Sequence, residues 1–451
     1  MKTLKVKRNW FKESGQRLDA SYHLSDGPIT KLILKNSPYH LTTLLKETEA
    51  IFKGNIFKRV YVDNPNTGHP FMTASDMMKS DLNSGKFVSK KYTNVANLMV
   101  DENWILTSRS GTLGNTIYTN KGFKKFLVTD DLIRIVPNNN KIKGGFLYAY
   151  LTSKYGNGLL VQSSYGGVVK HIEPHHIEEL PIPVFPEIKQ REIDSLITEA
   201  SQLRFESDKI LSEAIDYFDS NFNEEKFKKT FKKRINSLRF SFAAYNNNPE
   251  AEDIEKLIKR NGNKLSELAS DCFSPPMFKH IYLKNDNGHP FLTGSELTKY
   301  RKEFYRWLSP RGVKDINDYK VKKGTLLLYK SGTTEGGILG NVFIADDILN
   351  NVCLSDHVIR ITFDDIKTSY WAFAFLKSSA GVKLLQKTAT GSMIPFITPP
   401  RLLDLYIPKP SDKFDWVSEK VTSYMKKSVE SQMKEKKAIE LVEKEIEQWQ
   451  K

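Results

Sequence analysis

Two stretches of the chain carry apolar residues at three- and four-residue spacings, which predicts helices with one apolar face. The first stretch runs from Glu187 to Phe222 and the second from Ser411 to Lys451, and neither contains Gly or Pro. Both are longer than an average globular helix. The apolar positions are Ile193, Leu196, Ile197, Ala200, Leu203, Ile210, Leu211, Ala214, Ile215 and Phe218 in the first stretch, and Phe414, Val417, Val421, Tyr424, Met425, Val429, Ala438, Leu441, Val442 and Trp449 in the second.

These two stripes leave two interpretations open. Each helix packs on its own neighbouring domain, or the two helices bury their stripes against each other and hold two domains apart. Their length favours the second interpretation, an antiparallel coiled coil. About 30 helical residues at 1.5 Å each would reach roughly 45 Å.

The rest of the chain is one pattern that occurs twice. The segment FKRVYVDNPNTGHPFMTASDM from Phe57 returns as FKHIYLKNDNGHPFLTGSEL from Phe278. Ser-Gly-Thr at 110–112 returns at 331–333, and TDDLIRI at 129–135 returns as SDHVIRI at 355–361. YGGVVKHIEPHHIEELPIPVFP and TGSMIPFITPPRLLDLYIPKP close the two copies. Four blocks in one order, about 220 residues apart, predict two tandem copies of one domain with pseudo-twofold symmetry.

Within each copy, short strand-like runs such as RVYV and LIRIV alternate with loops rich in Gly, Pro and Asn. One helical segment, GGFLYAYLTSKYG, is matched by YWAFAFLKSSAG. We therefore predict an α+β protein with two similar mixed domains separated by the two long helices. The predicted boundaries are residues 1–185 for the first domain, 186–222 for the first helix, 223–410 for the second domain and 411–451 for the second helix.

The charge balance favours a polyanionic partner, although solvated lysines alone would also explain it. Lys and Arg number 68 against 53 Asp and Glu, for a formal net charge of +15. The two cysteines, Cys272 and Cys353, rule out a disulfide scaffold or a four-cysteine zinc module and suit a reducing cytoplasm. The basic start MKTLKVKRNWFKES has no apolar core behind it, so we expect no signal peptide and a cytoplasmic protein.

The order of the blocks resembles the specificity subunits of type I restriction-modification systems. The resemblance rests on SRSGTLGN at 108–115 followed by DDLIRI, on LYAYLTSKYGNG and on the closing HHIEELPIPVF. The opening GQRLDASYHL, with Arg17, Asp19 and Tyr22, is also similar to the start of the family's domain. The second copy departs here, because in LRFSFAAYN only Ala243 and Tyr245 fit.

The resemblance implies that each domain reads one half of a split sequence in double-stranded DNA. It also implies that the two helices act as a spacer and as docking surfaces for two methyltransferase subunits, and that restriction subunits join the complex. S-adenosylmethionine would then bind the methyltransferases, ATP and Mg the restriction subunit, and this chain no cofactor. A 45 Å spacer corresponds to about 13 base-pair steps, or roughly one turn of the duplex.

Candidate DNA-binding residues fall into two groups. Arg109 and Lys330 precede the Ser-Gly-Thr elements, which would offer hydroxyl and N–H donors to phosphate or would only form tight turns. Because these elements recur in both copies, a framework role is favoured over base reading. Base readers are expected in the loops that differ, 74–94 and 294–317, since Lys and Arg bond base edges in the major groove. The candidates are Lys86, Lys90, Lys91, Arg109, Ser110, Thr112, Lys170, Arg301, Arg306, Arg311, Lys330, Ser331 and Thr333.

Histidines and one basic run invite other interpretations. His69 and His289 recur in Gly-His-Pro-Phe, where a structural role is favoured. His171, His175 and His176 have a spacing found in metal sites, but the second copy has Phe396, Pro400 and Arg401 there, so no metal is assigned. The basic run KFKKTFKKR at 226–234 is interpreted as a solvated linker, with phosphate contact as the alternative.

The sequence lacks the motifs of the enzymes that act on DNA. It has no P-loop, no Asn-Pro-Pro-aromatic or Asp-Pro-Pro-aromatic tetrapeptide, and no glycine-rich cofactor loop after a strand. We therefore expect no catalytic residues and a recognition subunit rather than an enzyme. The alternatives are an interaction scaffold or anti-defence protein built from the same repeat, and a diverged nuclease.

Overall fold

The computed structural model describes Arg8 and residues 20–164, 170–222, 230–238, 241–284, 287–332, 339–391 and 393–449. Contacts divide the chain into two units. Unit 1 comprises residues 1–205 and 430–451, and unit 2 comprises residues 206–429. Each unit contains one copy of the repeat and part of both long helices. Both units mix helices and sheets, which confirms the predicted α+β class.

The described residues of unit 1 form short helices and ten strands that precede the first long helix. Its helices are α1 (Ala20–His23), α2 (Gly27–Lys35), α3 (Leu44–Glu47), α4 (Gly144–Thr152), α5 (Lys154–Gln162) and α6 (Pro174–Ile177). Its strands are β1 (Leu41–Thr43), β2 (Thr48–Lys53), β3 (Tyr61–Val62), β4 (Gly68–Met72), β5 (Phe87–Ser89), β6 (Ile105–Ser108), β7 (Thr116–Tyr118), β8 (Leu127–Val128), β9 (Leu132–Pro137) and β10 (Pro181–Pro183).

Unit 2 repeats this series after the first long helix, α7 (Glu187–Phe222), and before the second, α14 (Phe414–Gln448). Its helices are α8 (Pro249–Lys259), α9 (Leu265–Leu268), α10 (Gly294–Leu297), α11 (Ile366–Lys377), α12 (Ser379–Lys387) and α13 (Pro399–Leu403). Its strands are β11 (Asn263–Lys264), β12 (Ala269–Phe273), β13 (Tyr282–Leu283), β14 (His289–Leu292), β15 (Arg306–Leu308), β16 (Leu326–Tyr329), β17 (Val342–Ile344), β18 (Cys353–Leu354), β19 (Val358–Phe363) and β20 (Tyr406–Ile407).

The strands of the two units form sheets of the same topology. Unit 1 has the orders β1-β10, β2-β9-β6-β7 and β3-β5-β4-β8, and unit 2 has β11-β20, β12-β19-β16-β17 and β13-β15-β14-β18. In both third sheets the last pair is parallel, and every other pairing in the described sheets is antiparallel. The internal repeat in the sequence is therefore a repeat of the fold.

The helix that follows the second sheet is buried in each unit and bends sharply at a serine. Ser153 and Ser378 each end one helix and cap the next, accepting a hydrogen bond from Gly156 N and Gly381 N. A Cβ on Gly156 would lie 2.1 Å from the Tyr150 carbonyl oxygen, and one on Gly381 would be similarly close to its neighbour. Only glycine allows this tight crossing, and both copies have it.

The two long helices run antiparallel within each unit. In unit 1, Lys189 pairs with Glu445 and Glu199 with Lys434; in unit 2, the pairs are Glu206–Lys427 and Glu213–Lys420. Residue numbers rise along one helix as they fall along the other, which confirms the predicted antiparallel pairing. The apolar stripes also join the domain cores, because Ile193 and Ala438 pack in the core of unit 1 and Phe218 in that of unit 2. Within each unit the helices therefore pack both against each other and against the core of the domain.

Within the described part of the chain, no helix has the length and apolar character required to cross a bilayer.

Candidate nucleic-acid interface

In each unit the Ser-Gly-Thr loop follows a completely buried strand, which is β6 in unit 1 and β16 in unit 2. Backbone hydrogen bonds hold its first residue on both sides. Arg109 N donates to Asp131 O and Arg109 O accepts from Ile172 N; Lys330 N donates to His357 O and Lys330 O accepts from Ile397 N. The first residue of each loop is therefore held between the start of a core strand and the closing segment of the domain.

Beyond this seat the loop of unit 1 is open to solvent. Gly111 has a φ of +71°, and a Cβ there would meet nothing within 4 Å. Thr112 is exposed and its carbonyl accepts a hydrogen bond from Ser108 Oγ, while Ser110 Oγ lies 3.3 Å from Asp131 Oδ1. In unit 2, Ser331 is partly exposed and pairs with Phe396, and Thr333 lies outside the described residues. The geometry is that of an exposed turn with donors near its tip.

The cation that precedes the loop differs between the units. The Arg109 side chain is only 15% exposed; its Nε donates to Glu173 Oε1 at 3.0 Å, and its Nη1 lies 3.5 Å from Asp131 Oδ1. Glu173 also binds Lys53 Nζ at 2.8 Å. The predicted phosphate role of Arg109 therefore competes with an internal ion network. At the positions that match Glu173 and Asp131, unit 2 has Thr398 and His357, so Lys330 has no matching carboxylates.

The ion network around Glu173 predicts how the stability of unit 1 depends on pH. Burial of the Glu173 carboxyl acts to raise its pKa, but hydrogen bonds and charge from Arg109 and Lys53 outweigh burial and lower the pKa to about 2. Because the pKa of Glu173 is lower in the folded state, its carboxylate stabilises the fold at pH values above 4.5, the ordinary pKa. This contribution to stability is lost as the pH falls from 4.5 towards 2. Unit 1 should therefore lose stability in acid partly through Glu173.

Glu173→Gln tests this expectation by thermal unfolding at pH 6 and pH 3. The variant should be less stable than the parent at pH 6. The difference should shrink at pH 3, because the Glu173 carboxyl of the unfolded parent is then largely protonated while that of the folded parent is still ionised. Glu187→Gln, at an exposed i,i+4 pair with Arg191 on α7, is the matched control. A gap between parent and Glu173→Gln that is the same at both pH values would contradict the assignment.

The cations of the divergent loops occupy two matched positions. The strand register pairs Pro70 with Phe87 in unit 1 and Pro290 with Trp307 in unit 2. Phe87 and Trp307 are therefore equivalent, and so are Lys86 and Arg306, which precede them. Three residues after Val88 and Leu308, Lys91 is equivalent to Arg311. Lys91 and Arg311 are both exposed. The 220-residue spacing between Gly68 and Gly288 in the sequence gives the same equivalence.

The remaining predicted cations differ in their exposure and in the partners that their side chains already bind. Lys86 is partly exposed, and Lys90 Nζ donates to Asn66 O at 3.1 Å. Arg306 Nη1 lies 2.7 Å from Glu296 Oε1, and Arg301 Nε binds Glu303. Lys170 is partly exposed at the edge of the closing segment.

The histidine cluster has a structural explanation. His176 Nδ1 accepts a hydrogen bond from Glu173 N and so caps α6, and the rings of His175 and His176 lie 3.9 Å apart. In the residues that the structure describes, no group of three or more His, Cys, Asp or Glu is placed to hold a metal ion. Lys233 of the basic run pairs with Glu252. Residues 226–229 of that run, and Arg17 and Asp19, lie outside the described residues.

The sequence analysis did not recognise the importance of two buried arginines in the repeated IRI element. Arg134 and Arg360 are almost completely inaccessible, and burial lowers the pKa of each to about 10. Their guanidinium groups donate to backbone carbonyls at matching positions, Thr129, Leu132, Val128 and Leu98 in unit 1 and Ser355, Val358, Leu354 and Tyr319 in unit 2. Each arginine fixes the loop that carries Asp131 or His357, to which the Ser-Gly-Thr loop is bonded. The signal available in the sequence was the recurrence of a charged residue inside a strand.

Comparisons with known proteins bear on this arrangement. Residues 45–217 match the family model described as the type I restriction modification DNA specificity domain. The type I restriction enzyme MjaVIII specificity subunit of Methanocaldococcus jannaschii is 26% identical over 369 residues, which cover 80% of this chain and 81% of that protein.

Solved structures with a similar chain include the type I restriction-modification S subunit from M. genitalium, at 12% identity and a TM-score of 0.34. It matches 91% of this chain and 94% of that one. The HsdS subunit from Thermoanaerobacter tengcongensis has 14% identity and a TM-score of 0.28, covering 89% of this chain and 95% of that one. TM-scores this low support no further conclusion about this chain.

Two copies of one α+β fold, each with cation-bearing surface loops, define a tandem-repeat protein with a similar candidate interface in each copy. The family match places the chain more closely. Its first copy matches the type I restriction modification DNA specificity domain, and most of the chain is similar to a type I specificity subunit. The similar proteins are specificity subunits, which agrees with the prediction of a recognition subunit rather than an enzyme.

Proposed function

We propose that this chain reads a bipartite target in double-stranded DNA, one half with each unit, and docks methyltransferase and restriction subunits on the same scaffold. The observation that carries the proposal is the identical sheet order of the two units together with loops of different sequence between the same strands. A common framework with different loops suits one task performed on two different sequences. A symmetric target would instead favour two identical copies.

The division of labour within each unit follows from burial and pairing. The seated Ser-Gly-Thr loops recur in both units and suit sequence-independent contacts to phosphate. The exposed residues Lys91 and Arg311 lie at matched positions of loops that otherwise differ. Arginine and lysine there would contact either phosphates or the acceptor edge of guanine. The partner subunits would bind the cofactors, S-adenosylmethionine on the methyltransferases and ATP and Mg on the restriction subunit.

The direct test is co-expression of the chain with its methyltransferase partner in a host that lacks other methylation, followed by mapping of methylated bases. We expect one split motif whose two halves lie a fixed number of base pairs apart. An assembled complex that binds duplex DNA without sequence preference would support the scaffold alternative. Modification or cleavage of DNA by the purified chain alone would support the diverged nuclease.

Salt dependence of DNA binding separates exposed cations from paired ones. Lys91→Ala and Arg311→Ala should each weaken binding and lower the slope of log K against log salt by about 1, since each removes one released counterion. Arg301→Ala should change the slope less, because its guanidinium binds Glu303 within the loop. Lys256→Ala, an exposed lysine on α8 that pairs with Asp253, is the control. Equal slopes for Arg311→Ala and Lys256→Ala would remove Arg311 from the interface.

A further inference from the structure

An exposed apolar pair stands at the tip of a short hairpin in unit 2. Thr390 N donates to Phe396 O at 2.8 Å and Phe396 N to Thr390 O at 2.7 Å, which closes the hairpin around Gly391 and Pro395. At its tip, Met393 is 90% exposed and Ile394 is 68% exposed. We call these two residues the apolar tip.

Hydrogen bonds hold the hairpin on both sides, while its tip is exposed. Gly332 N donates to Pro395 O at 3.1 Å, Ser331 pairs with Phe396, and Ile397 N donates to Lys330 O. On the other side Tyr245 Oη donates to the Gly391 carbonyl. A fixed hairpin that presents two large apolar side chains to water is typical of an interaction site.

The charge around the apolar tip indicates what kind of molecule covers it. Several lysines between Asp365 and Asp404 are paired with carboxylates of other elements, whereas Lys330 beside the hairpin has a partly exposed side chain. The hairpin is bonded directly to Lys330 and Ser331, and Arg401 Nη1 lies 3.4 Å from the Thr388 carbonyl oxygen, close to the hairpin's start. The apolar tip therefore stands beside Lys330 and Ser331, the cation and hydroxyl that the proposed function assigns to phosphate, so a polyanion with an apolar interior fits this surface.

We propose that the apolar tip inserts between two stacked base pairs of the DNA half-site that unit 2 reads. Met, Ile and Pro are among the side chains that wedge base steps open. With Ser331 and Lys330 at the phosphates, the tip beside them would reach past the backbone to the bases. This inference rests on the proposed function and extends it, because it gives unit 2 a way to sense how easily one base step unstacks.

The experiment uses the complete complex with its methyltransferase subunits and the split motif found by methylation mapping. Duplexes carry 2-aminopurine at successive positions of the half-site that unit 2 reads, and its fluorescence reports unstacking. The parent complex should raise the fluorescence at one step. The double variant Met393→Ala/Ile394→Ala should abolish that rise and weaken binding at least about tenfold, with an unchanged salt slope because no charge is removed.

The control is Leu257→Ala/Ile366→Ala, which removes two other exposed apolar side chains of the same unit and should leave binding and fluorescence unchanged. A parent complex that binds its motif without a fluorescence rise at any step would overturn the inference and leave the proposed function intact. So would a double variant that binds DNA normally but loses a methyltransferase subunit, because the tip would then contact protein. Failure of the parent to bind any specific motif would refute both.

Discussion

Replacement of Arg134 or Arg360 by methionine should destabilise its unit by about 3–5 kcal/mol. Each guanidinium is buried and donates to several backbone carbonyls of buried residues. Methionine fills a similar volume but donates nothing, so those carbonyls lose their bonds while they remain buried. Lysine would restore the charge but not the planar fork, and it should recover only part of the loss.

Thermal unfolding of the single variants measures this effect. For a unit of this size, a loss of about 3–5 kcal/mol corresponds to a fall in melting temperature of roughly 10 °C. Arg311→Met, at an exposed arginine, should stay within about 0.5 kcal/mol of the parent. A cost below about 1 kcal/mol at both Arg134 and Arg360 would show that these arginines do not hold the loops.

Trp371→Ala should also cost about 3–5 kcal/mol, because the side chain joins the core of unit 2 to both long helices. Its ring centroid lies 4.8 Å from that of Phe218 on α7 and 5.8 Å from that of Phe414 on α14. Its Nε1 donates to Pro408 O at 2.8 Å. Removal of the ring would open a cavity at the point where three elements meet.

Trp371→Phe is the matched variant, since it keeps most of the ring contacts and loses the hydrogen bond. Its cost should be about 1–2 kcal/mol, well below that of alanine. Urea unfolding followed by circular dichroism would report both values. If the two variants were equally unstable, the hydrogen bond rather than the packing would carry the stability, and the packing of Trp371 on the helices would be secondary.

The larger features of the fold were predictable because they repeat or are periodic. The duplicated blocks predicted two units of one kind, and the stripes predicted α7 and α14. The stripe did not predict that Arg204 and Ser207 are buried midway along α7. Periodicity shows which face of a helix is apolar, but it does not show where polar groups on that face find hydrogen-bond partners.

The candidate interface was less predictable, for a related reason. Arg109 and Lys330 match in sequence, yet Arg109 is paired with Glu173, which lies 64 residues further along the chain. Only the fold brings that carboxylate to the loop. The equivalence of Lys91 and Arg311, by contrast, follows from the 220-residue spacing of the repeat, and the strand register agrees with it.

The central claim, that each unit reads its own half of a split target, is tested most directly by domain replacement. Residues 223–410 would be exchanged for the second domain of another specificity subunit, and methylated bases would be mapped in cells that contain the methyltransferase. We predict that one half of the motif changes to that of the donor, while the other half and the spacing stay the same. An unchanged motif, or a change in both halves, would contradict the claim.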